Sequence, residues 1–105
     1  MSTLRIYPYF AISDTPATGL TLAEILIDVW RIKKSDNTVA HVVDGAPVEK
    51  EIGGGYYYYS LPNVDYTTYD YIPHVHYTGV EEVDSPRLFA PEYQQEDVSA
   101  RRVLS

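Results

Sequence analysis

Leu20-Thr21-Leu22-Ala23-Glu24-Ile25-Leu26-Ile27-Asp28-Val29-Trp30-Arg31-Ile32-Lys33-Lys34 can be read in two ways, and the choice decides the fold. Leu22, Ile25, Leu26, Val29 and Trp30 recur at helical spacing, and Thr21 followed by Glu24 has the form of a capping box, the pattern of an amphipathic helix. Ile25, Ile27, Val29 and Arg31 recur at spacing two in a stretch dense with β-branched residues, and the apolar segment before it needs a partner. On these cues the strand is the stronger reading and the helix its alternative.

Upstream, Leu4 to Ile12 is rich in β-formers and reads as a first strand, with Pro8 suiting a sheet edge because proline has no N–H to give a ladder. Ser13 to Gly19 is a cluster of turn residues and reads as a loop. Downstream, Ser35-Asp36-Asn37 supplies a turn and Thr38 to Val43 a strand, so the deciding segment becomes half of a hairpin. Asp44-Gly45-Ala46-Pro47 turns the chain again, Val48 to Ile52 is short and mixed, and Gly53-Gly54-Gly55 permits the positive φ of a tight turn or bulge.

Tyr56 to Leu61 is the clearest strand. Tyr69 to Tyr77 reads as the last, with Ile72, His74 and His76 on one face and Tyr71, Val75 and Tyr77 on the other. Short strands separated by turns predict an all-β fold, a small antiparallel β-sandwich or partly open, Ig-like barrel over residues 1–79.

From Val80 the chain turns acidic and irregular, and residues 80–105 read as an extended C-terminal arm. Leu88, Phe89, Tyr93, Val103 and Leu104 are spaced like anchors for a neighbouring subunit, the alternative being a disordered or self-packed tail.

The 105 residues suffice for one domain, and a formal charge of −7 argues against nucleic acid and anionic membranes as partners. No stretch is long enough to span a bilayer, and Met1 to Tyr9 lacks the pattern of a signal peptide. With no Cys, disulfides and thiolate metal sites are excluded.

Catalytic chemistry finds no constellation. Glu49 with Glu51 and Glu81 with Glu82 read as solvated pairs, the serines lie in turns without a nucleophile elbow, and Gly53-Gly54-Gly55 leads into a strand instead of a phosphate-binding helix. No catalytic residue, cofactor or small-molecule ligand is expected. His74 and His76 share a strand face, a spacing metals use, but they need further ligands that Asp70 or His41 would have to bring; ordinary surface histidines are the expectation, without a metal. Of Tyr56 to Tyr59, two rings should face inward and two outward, and Tyr57 and Tyr59 with His74 and His76 form the candidate ligand or interface surface.

Thr18-Gly19-Leu20-Thr21, Ile27-Asp28-Val29-Trp30-Arg31-Ile32 leading to Ser35-Asp36-Asn37-Thr38-Val39, and Glu51-Ile52-Gly53-Gly54-Gly55-Tyr56-Tyr57-Tyr58 leading to Tyr69-Asp70-Tyr71 together resemble a small β-module that recurs in virion proteins of tailed bacteriophages. That pattern runs from a Thr-Gly-Leu turn through a strand and a Ser-Asp-Gly-like turn to a Glu-Ile-Gly-Gly-Gly-Trp-Tyr-like segment. Here Asn37 replaces the turn glycine and Tyr56 the commoner Trp, and Asn also tolerates the left-handed region.

The resemblance implies a strand over the deciding segment and a non-enzymatic virion structural protein of the capsid, neck, tail or fibre. Its partners would be other virion proteins and copies of itself, and it would be made in the host cytoplasm without a signal peptide. The alternative is a receptor- or carbohydrate-binding module using exposed tyrosines.

Overall fold

Buried residues recur at every second position from Leu4 to Pro8 and from Ile25 to Val29 in the computed structural model, which describes residues 2–89. Met1 and residues 90–105 lie outside it, and with them the expectations placed on Tyr93, Val103 and Leu104. The strands are β1 (Ser2–Tyr9), β2 (Ala11–Ile12), β3 (Thr15–Pro16), β4 (Ile25–Lys33), β5 (Val39–Pro47), β6 (Lys50–Gly53), β7 (Tyr56–Val64), β8 (Tyr69–Tyr77) and β9 (Arg87–Phe89). Among the described residues no helix is long and apolar enough to cross a membrane.

The deciding segment is a strand. Ile25, Ile27 and Val29 are fully buried while Trp30 is exposed, the period-two signature. The helical cue survives only as a single 3₁₀ turn, Leu22–Glu24, in which the Glu24 N–H donates to the Thr21 carbonyl at 3.0 Å and Thr21 makes no side-chain cap. One turn is what Thr21 and Glu24 can nucleate before the β-branched run takes over.

Antiparallel pairing gives a three-stranded sheet in the order β5-β4-β8, a four-stranded sheet in the order β6-β7-β1-β9, and a small β2-β3 ribbon. The two larger sheets face one another as a small β-sandwich. Leu4, Ile6, Tyr57 and Val64 from one meet Ile25, Ile27, Val29, Val43, Tyr71 and Val75 from the other in a single buried cluster. At roughly 1.5–3 kcal/mol for each large apolar side chain buried, this layer is the main stabilising term.

Asp44 to Pro47, read as a turn, instead continues β5, with Ala46 opposite Ile27 and Pro47 opposite Leu26. Three further expectations need correction. The first strand breaks at Phe10, whose N–H donates to the Gly55 carbonyl and whose own carbonyl accepts from Ala17, at 3.0 and 2.9 Å. Beyond it, Ser13 and Asp14 at φ 50° and 66° make a tight two-residue turn between β2 and β3 where a loop was expected. Second, β1 is not an edge: β7 flanks it on one side and β9 on the other, with Pro8 opposite Leu88. Pro8 is tolerated because β9 is only three residues long and the ring lies buried in the core layer.

Third, the chain keeps contributing to the domain beyond Gly79. Val83 and Leu88 pack against its own core, and the Asp84 N–H donates to the Ala11 carbonyl at 2.6 Å. Leu88, expected to anchor a neighbour, packs half-buried against its own domain, and the Phe89 backbone pairs with Tyr7. Burying Leu88 at home stabilises the fold without waiting for a partner.

Two segments distant in sequence are clasped by Tyr57. Its hydroxyl donates to the Ala17 carbonyl at 2.9 Å and accepts from the Leu20 N–H at 3.1 Å, both buried, while Glu51 Oε1 takes the Gly19 N–H at 3.1 Å. The turn that makes this possible needs Gly55, at φ +90° with the Phe10 carbonyl 2.7 Å from where a Cβ would sit. Tyr57→Phe leaves a buried donor and acceptor unpaired, so urea titration should show a loss of about 1–3 kcal/mol in unfolding free energy. A variant as stable as the parent would show that the clasp does not hold the fold.

Candidate functional site

Because β4 is the centre of its sheet, residues alternating with its buried ones form the middle row of an outward face. Leu26, Asp28 and Trp30 stand there, opposite His76, His74 and Ile72 of β8, while Trp30 also lies opposite His41 of β5. Every histidine of the chain is on this face. Its apolar part is open to solvent, with Trp30 40%, Ile72 45% and Val39 58% exposed.

The polar part is ordered by side-chain contacts. The imidazole of His41 stacks on the Trp30 indole with centroids 3.8 Å apart and planes at 8°. His41 Nε2 lies 3.0 Å from Asp28 Oδ1, which also accepts the Gly45 N–H at 3.0 Å, and His41 Nδ1 is 4.0 Å from Asp44 Oδ1. Irregular register between β4 and β5 around Val29 lets both His41 and Gly45 reach one carboxylate. The Asp28 and His41 side chains are about three-quarters buried, at 23% and 26% exposure, so their contact is better shielded from water than an ordinary surface pair.

His74 and His76 share this outward face with Ile72, as their spacing requires. The register sets His74 against Asp28 and His76 against Leu26, whereas Asp70 lies further along, opposite Ile32. Tyr57 and Tyr59 need correction as surface residues. Tyr57 is fully buried and Tyr59 packs against the core, because the inward parity of β7 falls on the odd-numbered residues. The outward pair is Tyr56 and Tyr58, which meet Tyr9 and Tyr7 at 4.8 and 5.4 Å between ring centroids, with Lys50 Nζ 5.3 Å from the Tyr58 ring.

Asp28, Trp30, His41 and Asp44 were not singled out together by sequence. The legible signals are His41, which the sequence offers as a further ligand, and Asp28, a lone carboxylate within the apolar run from Ile25 to Val29. Comparison with family models, with curated proteins and with solved structures finds no match for this chain.

Burial pushes the Tyr57, Tyr59 and Tyr77 hydroxyls above the usual phenol range. Their neutral form is favoured in the folded state, so their contribution is complete below the unfolded tyrosine value of about 10 and is lost as pH rises past it toward the folded values. Phenolate absorbance should therefore show a late-titrating group of tyrosines, with stability falling in the same alkaline range. Uniform titration of every tyrosine at the unperturbed value would contradict the inward placement of these three.

Proposed function

We propose that this chain is a non-enzymatic structural protein of a tailed-bacteriophage virion, acting by binding copies of itself and other virion proteins. The observation that carries the binding role is the open apolar band of Trp30, Ile72 and Val39 on a domain whose core is already closed beneath it. Contiguous exposed apolar residues rimmed by polar groups mark contact surfaces. A large aromatic residue at the centre suits a hot spot.

The virion assignment draws on the phage-like motifs, and the fold gives those motifs a shared task. The Thr18-Gly19-Leu20 turn and the Glu51 to Tyr57 segment, far apart in sequence, are joined by the hydrogen bonds of Glu51 and Tyr57. A net charge of −7 further favours protein over nucleic-acid partners. In a symmetric assembly one modest contact repeated many times gives strong collective binding.

The test is a pair of variants scored for particle incorporation and self-association. Trp30→Ala with Ile72→Glu changes outward-facing side chains, should leave the β-sheet circular dichroism spectrum intact, and should reduce incorporation at least tenfold, the scale of about 1.4 kcal/mol. Deleting residues 90–105, which spares β9, should also impair incorporation if the remaining anchors grip a neighbour. Normal assembly by both variants would defeat the structural reading. A second reading, carbohydrate binding, is favoured by the outward set of Tyr7, Tyr9, Tyr56 and Tyr58, and Tyr-dependent retention on a glycan array by the isolated protein would support it instead.

A further inference from the structure

A carboxylate in the centre of a sheet face, with an imidazole on the strand to either side, is an arrangement that hydrophobic packing does not require. Asp28 has His41 of β5 in contact on one flank and His74 of β8 directly opposite it on the other. Asp44 adds a second carboxylate. One ligand atom each from Asp28, His41 and Asp44 all lie within 4.8 Å of one another.

We infer that Asp28, His41 and Asp44, with His74 swinging in from β8, form a binding site for a divalent transition-metal ion of the zinc class. The chemistry matches the donors, since imidazole and carboxylate together suit Zn²⁺ and its neighbours, whereas Ca²⁺ and Mg²⁺ prefer all-oxygen sets. The dimensions match as well. Bonds of roughly 2.0–2.1 Å in tetrahedral array put neighbouring ligand atoms about 3.3–3.4 Å apart, close to the 3.0 Å between Asp28 Oδ1 and His41 Nε2. An ion replaces the proton shared between them with a small outward shift.

Two features hold the ligands in place before an ion arrives. The parallel stack on Trp30 fixes the plane of the His41 ring, and the Gly45 N–H holds Asp28 Oδ1 at 3.0 Å. Such orienting contacts lower the ordering cost of binding and tune the ligand. Asp44 stands on the Nδ1 side of His41, 4.0 Å from that nitrogen, and with its side chain 88% exposed it turns round the ring edge to join Asp28 at Nε2, as the exposed His74 turns in from β8. Once bound, the ion would tie β5, β4 and β8 together across the face, so metal and sheet stability are linked.

Trp30 is the only tryptophan in the chain and it stacks on a ligand, which makes it a built-in reporter. The full-length protein should bind one Zn²⁺ per chain by titration calorimetry, and Ni²⁺ or Cu²⁺ should quench Trp30 fluorescence in a way that excess Zn²⁺ reverses. His41→Ala should weaken Zn²⁺ binding by more than about 100-fold, and His74→Ala and Asp44→Asn by about tenfold each. His76→Ala, which removes the imidazole opposite Leu26, should leave it unchanged. Because Asp44 and His74 are exposed, their variants keep the test independent of any folding defect at His41. Absence of heat and of quenching up to about 1 mM ion, or binding that His41→Ala and Asp44→Asn leave intact, would overturn the site.

Discussion

The geometry of β4 governs the molecule. A strand sends neighbouring residues to opposite sides, and a strand paired on both edges has no freedom to slip, since a shift of one residue would expose Ile25, Ile27 and Val29 and bury Asp28. The same parity that builds the core therefore builds the outer face. Asp28 and Trp30 stand outward because their neighbours must stand inward, and the flanking strands then decide what each one meets. Fold and candidate site rest on one register.

Much of this was legible because strand parity and turn chemistry are local. The β-branched run around Ile27, the Asn37 turn at φ 62°, the three glycines after Ile52 and the outward Ile72-His74-His76 row all follow from residues close in sequence. What could not be read depended on partners far away. The side of β7 on which Tyr57 falls was open to either parity until Ala17 and Leu20 came to meet its hydroxyl. Likewise Leu88 looks like any apolar residue of an acidic tail, and only the space beside β1 lets it pack against the core. The Asp28 and His41 contact needed the irregular β4-β5 pairing, which no spacing rule announces.

The two outward faces differ in kind. One carries tilted tyrosine pairs whose hydroxyls suit a partly wet contact; the other carries an indole, aliphatic side chains and imidazoles around a carboxylate. Sheet edges are less inviting. Outer strand β8 has Pro73 at its middle, outer strand β5 ends at Pro47, and β6 and β9 are short. Proline and shortness blunt the unpaired backbone that would otherwise recruit stray strands, so contacts made through side-chain faces are the better-defined ones.

The placement of β1 also sets how local its pairing is. Among the described strands it stands first in sequence, yet its partners are β7 on one side, with Leu4 opposite Leu61, and β9 on the other, with Pro8 opposite Leu88. The β4-β5 hairpin closes over a short turn and is free to form early. Formation of β1 therefore waits on contacts of high sequence separation, during which Leu4, Ile6 and Pro8 stay uncovered, the kind of slow non-local pairing that exposes apolar surface to misassociation.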